Sequence, residues 1–185
     1  TVGVLLAAGR SRRFGAANKL LAPLSGKPLV GHAAAALARV RLEHYVAVVR
    51  SSDVAAVLTG FDLEQIPEEQ ESQSDSLRAG IARAARLGAS GVLVCLGDMP
   101  RVSVLHLEAV VSLGRAQGIA ASSQGGKVMP PAWFDSVYFS ELEALEGDQG
   151  ARAILRSLPL AARVSVQSDE LVDIDRPEDL HRFSG

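Results

Sequence analysis

Residues 5–19, LLAAGRSRRFGAANK, hold the pattern that decides the fold class. An apolar run that ends at Ala7 breaks abruptly into a loop of small residues and cations. Glycine lets the backbone approach a ligand closely, and exposed N–H, guanidinium and ammonium groups can surround anionic oxygens. The stretch therefore predicts a buried strand that opens into a polyphosphate-binding loop. A plain strand–helix turn with exposed basic residues is the competing interpretation, and it explains the clustering of glycine, serine and cations less well.

The composition favours one globular domain over residues 1–185. Hydrophobic residues make up 48% of the chain and the formal net charge is −2. We therefore expect no nucleic-acid partner, which would need a basic face. No apolar run approaches the roughly 20 residues that cross a bilayer, so we expect no membrane partner. The single cysteine, Cys95, lies within VLVCL and predicts a buried core thiol, which fits a reducing, cytoplasmic location.

Predicted strands alternate with predicted helices through most of the first two thirds of the chain. The strands are expected at 2–7, 45–49, 92–96 and 119–122, and the helices at 29–40, 76–87 and 104–117. Alternation of this kind predicts a Rossmann-like, three-layer α/β/α fold with a mostly parallel central sheet. The run 92–96 is apolar on both faces and predicts a central strand. Residues 123–135 are predicted as a glycine- and proline-containing loop, 171–172 as a short strand, and Ser74 or Asp75 as the N-cap of the helix over 76–87.

Ligands of such sheets bind outside the carboxyl ends of the strands, so the first loop and Gly97-Asp98 should face one crevice. A carboxylate at this place can hold Mg²⁺, a hard cation that takes carboxylate and phosphate oxygens. A helix N-cap is the alternative role for Asp98. Asp173 and Asp175 alternate along an extended segment and should point the same way. Alternatively, Asp175 caps a helix that begins at Pro177 and Asp173 is solvated.

Five motifs in order carry a resemblance to a known family. They are Leu6-Ala7-Ala8-Gly9-x-Ser11-x-Arg13-x-Gly15-xxx-Lys19, Ser76-Leu77-Arg78-Ala79-Gly80, Gly97-Asp98-Met99-Pro100, Gly147-Asp148-Gln149-Gly150-Ala151-Arg152 and Asp173-Ile174-Asp175-Arg176-Pro177-Glu178-Asp179-Leu180. Together they resemble the MobA-like NTP transferases, and most closely the molybdenum cofactor cytidylyltransferases. The resemblance implies the nucleotide-diphospho-sugar transferase type of fold.

The resemblance also implies a reaction and a set of roles. A phosphate oxygen of the acceptor attacks the α-phosphorus of a nucleoside triphosphate, and pyrophosphate leaves. Arg13, Lys19 and Asp98 are the implied catalytic residues, with Arg13 on the β- and γ-phosphates and Lys19 on the charge that grows at the α-phosphate. Asp98 and Asp175 are the implied Mg²⁺ ligands. The implied nucleotide-binding set is Leu6, Ala7, Ala8, Gly9, Ser11, Arg13, Gly15, Lys19, Ser76 and Asp98.

The base and the acceptor are inferred from smaller details. LAAG resembles the cytidylyl branch, where guanylyl relatives carry LAGG, so CTP is expected over GTP; the methyl group of Ala8 would take up volume that a purine needs. The expected acceptor is molybdopterin, contacted by Lys127 and Asp173, with a client molybdoenzyme as a further partner. Residues 125–131, GGKVMPP, lack the histidine usual in the family's acceptor loop. Lys127 either replaces that contact or is a solvated loop lysine. Another phosphorylated acceptor, a sugar or polyol phosphate, and a non-catalytic cofactor-delivery protein are the alternative functions.

Overall fold

The computed structural model describes residues 1–9, 11, 14, 18–67, 69, 72–147, 151–166 and 169–182, and the structural statements below concern these residues. The elements, in chain order, are β1 Val2–Ala7, β2 Pro23–Leu24, β3 Lys27–Pro28, α1 Leu29–Leu37, β4 His44–Val49, α2 Ser52–Val57, β5 Asp62–Gln65, α3 Gln73–Arg86, β6 Gly91–Leu96, α4 Val104–Gln117, β7 Ile119–Gln124, β8 Lys127–Asp135, α5 Phe139–Glu143, α6 Arg152–Arg156, β9 Arg163–Ser165 and α7 Pro177–Arg182. Within these ranges, none of the helices combines the length and apolar character needed to cross a bilayer.

Seven of these strands form one sheet in the order β5-β4-β1-β6-β8-β7-β9. The strands β5, β4, β1 and β6 pair in parallel. The strand β8 runs antiparallel to both of its neighbours, and β9 returns parallel to β7. The mostly parallel sheet with β6 at its centre confirms the prediction from the apolar run at 92–96.

Two apolar clusters lie on opposite faces of the sheet. Because side chains alternate along a strand, Leu5 of β1 packs with Val30 of α1 and Leu107 of α4. Its neighbour Val4 packs on the other face with Ile81 of α3. Helices therefore cover both faces, which confirms the predicted three-layer α/β/α arrangement.

The predicted loop over 123–135 is wrong, because most of it is strand β8. The strands β7 and β8 form a hairpin in which Gln124 pairs with Lys127. Its two central residues, Gly125 and Gly126, have φ angles of 56° and 82°. Two successive positive φ angles suit the tight turn that matches the twist of a hairpin, so the glycines mark a turn between strands.

The prolines of the same segment lie at an irregularity of the pairing. The register between β7 and β8 shifts between Ala121 and Ser122. Pro130 and Pro131 lie at this place on β8, where the lack of an N–H group interrupts the ladder least. A proline pair that resembles a loop signal is thus accommodated inside a strand.

Two smaller predictions also need correction. Helix α3 begins at Gln73, because Ser72 is its N-cap and forms a capping box with Asp75. Asp75 is therefore the third residue of the helix and not its cap. Residues 171–172 do not form a strand; a 3-10 turn, Asp169–Leu171, buries Leu171 instead. Cys95 is 4% exposed, which confirms the core thiol.

Candidate active site

The first loop and the Gly97-Asp98 turn lie at the same edge of the sheet. The strands β1 and β6 pair in parallel up to Leu6 and Leu96, and the N–H of Gly97 donates to the carbonyl of Leu6 at 3.0 Å. A Cβ on Gly97 would lie 3.1 Å from a methyl of Val30 and 3.3 Å from the Leu6 carbonyl. Glycine therefore lets the turn come close to β1 and directs Asp98 toward the loop, as the sequence predicts.

A buried lysine joins two of the predicted carboxylates. Lys19 is 8% exposed, and its Nζ donates to Asp98 Oδ2 at 2.7 Å, to Asp175 Oδ1 at 3.2 Å and to the carbonyl of Ile174 at 3.1 Å. These three contacts match the three N–H donors of an ammonium group. Burial of the charge is thereby offset by two opposite charges and one polar partner.

The local fold delivers Lys19 to this place through a small polar network. A 3-10 turn, Lys19–Leu21, is capped by Asn18, whose Oδ1 accepts from the N–H of Leu20 at 3.0 Å. Ser11 Oγ accepts from the N–H of Lys19 at 2.7 Å and donates to Asn18 Oδ1 at 3.3 Å. The hydroxyl of Ser11 therefore closes the loop onto its own backbone.

The last segment of the chain is fastened to the end of β6. The N–H of Ile174 donates to the carbonyl of Asp98 at 3.0 Å, and the fully buried Ile174 packs against Leu24 and Leu29. At the start of α7, Asp179 Oδ2 accepts from the N–H of Asp175 at 3.0 Å. The helix start thus uses the carboxylate of Asp179, and Asp175 Oδ1 faces Lys19.

The site has an excess of negative charge among its described side chains. Burial lowers the pKa of Lys19, but the carboxylates of Asp98 and Asp175 outweigh it, so the pKa is raised and Lys19 stays charged. Partial desolvation, followed by repulsion from Asp98 and Asp175, raises the pKa of Asp173. Three carboxylates against one ammonium favour the binding of a further cation.

The donor set fits a hard divalent cation that keeps open positions. Asp98 and Asp175 each direct an oxygen to the same ammonium group. In the described part of the chain, no group of three or more His, Cys, Asp or Glu side chains could enclose a metal. Mg²⁺ is typically held by one or two carboxylates with substrate phosphates and water, and does not need a protein cage.

Several predicted site residues lie elsewhere or outside the described residues. Arg13 and Gly15 fall outside them, as do residues 148–150 of the GDQG turn. Ser76 is 7% exposed on α3. Lys127 is exposed at the start of β8.

The start of the first loop has a different environment from the one that the sequence predicts for the methyl group of Ala8. Ala8 is 3% exposed and its methyl group packs in the apolar cluster on the α3 side of the sheet. An effect of Ala8 on base choice would therefore act through the backbone and not through a methyl group in the crevice. Gly9, which follows, is exposed, and a Cβ there would meet nothing within 4 Å.

Sequence reasoning missed Arg50, which contacts this loop. Arg50 directly follows β4, its Nε donates to the carbonyl of Ala8 at 3.2 Å, and its Nη1 donates to the carbonyl of Pro67 at 3.0 Å. Its position at the carboxyl edge could have been predicted, because Arg50, like Asp98, is a charged residue that follows an apolar strand.

Comparisons with known proteins identify the family of this chain. The family model of the MobA-like NTP transferase domain matches residues 3–164. The purine catabolism protein PucB of Bacillus subtilis is 35% identical over 96% of this chain and 93% of its own length. A probable molybdenum cofactor guanylyltransferase of Pyrococcus horikoshii is 28% identical over 97% of each chain. The structure of Rv0371c from Mycobacterium tuberculosis, a manganese complex, superposes with a TM-score of 0.83 at 28% identity, covering 99% of this chain and 97% of that chain.

The family model covers most of the sheet, including β1, β6 and the β7–β8 hairpin. The fold is the Rossmann-like one of the nucleotide-diphospho-sugar transferases, as the resemblance implied. With this fold, and with the family model matching residues 3–164, the chain belongs to the MobA-like NTP transferase family.

Proposed function

We propose that the protein transfers CMP from CTP to the phosphate of molybdopterin and releases pyrophosphate. The observation that carries the transfer chemistry is the contact of Lys19 with Asp98 and Asp175 beside the first loop. A buried cation and paired carboxylates at the carboxyl edge suit a reaction in which charge moves between phosphate oxygens. Nucleotidyl transfer needs little covalent chemistry from the protein, so placement and charge neutralisation account for most of the catalysis.

The chain's own residues divide this work. The ammonium of Lys19 neutralises the charge that grows at the α-phosphate, and Arg13, by resemblance, holds the β- and γ-phosphates. The exposed backbone at Gly9 lets the triphosphate approach the loop. Ser11 keeps the backbone of Lys19 in place through its hydroxyl. The local excess of carboxylates excludes an unaccompanied triphosphate from the Asp98 side.

A divalent cation completes this site in the proposal. Asp98 and Asp175 would hold Mg²⁺, which when bound supplies positive charge to the phosphate oxygens. The local negative charge, and not the ligand count alone, supports this assignment. The relative that forms a manganese complex makes Mn²⁺ a useful experimental substitute.

CTP is the proposed donor because the motif LAAG, with Ala8 in its third position, resembles the cytidylyl branch of the family. Ala8 is buried, so its proposed influence is on the position of the loop backbone that faces the base. A relative named as a probable guanylyltransferase makes GTP the competing donor. Base choice is therefore the first property to measure.

The acceptor is proposed to bind on the hairpin side of the crevice. The β7–β8 hairpin carries the exposed Lys127, and Asp173 lies beside Asp98 and Asp175. An ammonium at Lys127 suits a phosphorylated acceptor, and Asp173 can accept hydrogen bonds from the N–H groups of a pterin. The product would pass to a client molybdoenzyme. The cytoplasmic location also remains a prediction.

Pyrophosphate release tests the proposal. Purified protein is incubated with CTP or GTP, Mg²⁺ and isolated molybdopterin, and with a sugar phosphate in place of molybdopterin. We expect release with CTP and molybdopterin, and loss of release in Asp98→Ala. Release with the sugar phosphate alone would favour the other acceptor class. Binding of molybdopterin without any release would favour a non-catalytic delivery protein.

A further inference from the structure

Arg50 directly follows β4 and lies beside the start of the first loop. The strands β1 and β4 pair in parallel up to Ala7 and Val49. Ala8 is therefore the first residue after β1, and Arg50 is the first residue after β4, at the edge of the sheet that carries Asp98. A side chain at this place can act on the donor loop without itself occupying the crevice.

The guanidinium of Arg50 joins two backbone segments. Its Nε donates to the carbonyl of Ala8 at 3.2 Å, and its Nη1 donates to the carbonyl of Pro67 at 3.0 Å. The Pro67 segment is in turn fastened to β4, because the N–H of Ile66 donates to the carbonyl of Val49 at 2.9 Å. The loop is thus tied through Arg50 to a segment already held by the sheet.

This tie fixes the orientation of one peptide group. In a trans peptide the carbonyl and the next N–H point in opposite directions. Holding the Ala8 carbonyl toward Arg50 therefore directs the N–H of Gly9 away from β4. Since β1 lies between β4 and β6, that direction is the side of the loop on which the Asp98 turn lies.

The charge of Arg50 also reaches the beginning of α3. Hydrogen bonds from Ser72 are the main cause of the lowered pKa of Asp75, and Arg78 and Arg50 lower it further. Arg50 is therefore close to three segments: the backbone at Ala8, residues 66–67 and the first turn of α3.

We propose that Arg50 is a positioning residue that orients the Ala8–Gly9 peptide and thereby sets the affinity and base preference of the nucleotide site. This inference rests on the proposed function for its nucleotide readouts. It goes beyond that function because it assigns discrimination between bases to a side chain outside the first loop. Arg50 contacts the loop carbonyl and acts on the nucleotide through the Gly9 N–H.

The test compares Arg50→Lys and Arg50→Gln with Arg86→Lys. Arg86 is an exposed arginine at the far end of α3 that donates to Glu64 at 2.8 Å, so it is a matched control. We expect Arg50→Gln to raise KM for CTP about tenfold with kcat within about twofold of wild type. The ratio of kcat/KM for CTP over GTP should move toward unity. Arg50→Lys should restore part of the affinity, because an ammonium can keep one of the two bonds.

A second readout needs no nucleotide. In the ligand-free variants, amide hydrogen exchange of the peptide carrying Ala8 and Gly9 should accelerate about tenfold in Arg50→Gln and not at all in Arg86→Lys. Unchanged exchange together with unchanged KM would overturn the inference. The inference would also be overturned if kcat and Tm fell together with the rise of KM in both Arg50 variants, because that pattern indicates general destabilisation. If wild type binds no nucleotide, the proposed function fails, and the exchange experiment still decides the role of Arg50.

Discussion

Two halves of the sheet reach the crevice differently. Strands β5, β4, β1 and β6 form the half proposed to bind the nucleotide donor, here called the donor half, and strands β8, β7 and β9 form the half proposed to bind the acceptor, here called the acceptor half. In the donor half the strands are parallel and end together, so the segments that follow β1 and β6 carry Lys19 and Asp98 to one place. In the acceptor half β8 runs antiparallel to β6, with Val94 opposite Ala132. Lys127 lies five residues before Ala132, so the hairpin extends about 17 Å beyond that pair. The donor half therefore brings its charges together, while the acceptor half projects a ribbon past the edge.

The two halves are also held by different chemistry. The donor side depends on ion pairs around the buried Lys19. Behind the acceptor hairpin, His106 Nε2 lies 2.7 Å from Ser122 Oγ, which donates to the carbonyl of Pro131 at 2.8 Å. Because the hydroxyl of Ser122 donates to the carbonyl of Pro131, its oxygen accepts a hydrogen bond from the N–H group at Nε2 of the neutral His106 ring. A charged network thus lies at the proposed chemistry, and a neutral network supports the proposed acceptor surface.

The largest effect is expected from breaking the charged network. Asp98→Asn removes one partner of Lys19 and one proposed metal ligand, so kcat for pyrophosphate release should fall by about a hundredfold or more. Asp53→Asn, on an exposed turn of α2, is the matched control and should keep wild-type turnover. Turnover within tenfold of wild type in Asp98→Asn would show that the Lys19 cluster is not the catalytic centre.

A smaller and more selective effect is expected at the hairpin. Lys127→Ala should raise KM for molybdopterin about tenfold and leave KM for CTP unchanged, because a charge-assisted contact is lost on the acceptor side only. Lys27→Ala, at an exposed lysine of the short β2–β3 hairpin, controls for loss of surface charge. Steady-state kinetics with each substrate varied in turn measure both constants. An unchanged KM for molybdopterin would show that Lys127 is a solvated lysine without a role in acceptor binding.

Base preference should change by a few-fold in Ala8→Gly. The substitution removes a buried methyl group from the cluster beneath the loop and relaxes the backbone that faces the base. We expect the ratio of kcat/KM for CTP over GTP to fall only about threefold, because the methyl group acts through the backbone, whereas a methylene in direct contact with a substrate changes discrimination by about tenfold or more. Ala79→Gly, on α3, is the control for removing a methyl group at a partly buried alanine. A wild type that already prefers GTP would contradict the proposed donor.

Most of the donor half could be predicted from the sequence because its evidence is local. Apolar runs mark β1, β4 and β6, and the rule for carboxyl ends places Asp98 and the first loop at one edge. The edge strand β5, with the sequence DLEQ, carries no such run. The carbonyl of Ile174 as a partner of Lys19 could not be predicted, since it is a backbone atom 155 residues away. The strand β8 was missed because glycines and prolines weaken a strand signal, whereas here they occupy a turn and a break in register. Local patterns therefore located the charged groups, and tertiary pairing decided what surrounds them.

The smallest expected effect concerns the neutral network and depends on pH. Burial lowers the pKa of His106 below its ordinary value of 6.5, although the charge of Glu170 opposes the shift. Above that value the imidazole is neutral in the folded and the unfolded chain, so its contribution to stability is complete. As the pH falls, the unfolded chain takes up the proton first, and stability is lost until the folded pKa is passed. His106→Gln keeps a donor for Ser122 and does not titrate, so its Tm should fall less steeply than that of wild type between about pH 7 and 5.

His44→Gln, at an exposed position at the start of β4, is the matched control and should keep the wild-type slope. Thermal unfolding across this range measures all three proteins under the same conditions. An identical slope in wild type and His106→Gln would mean that protonation of His106 does not loosen the support of the hairpin.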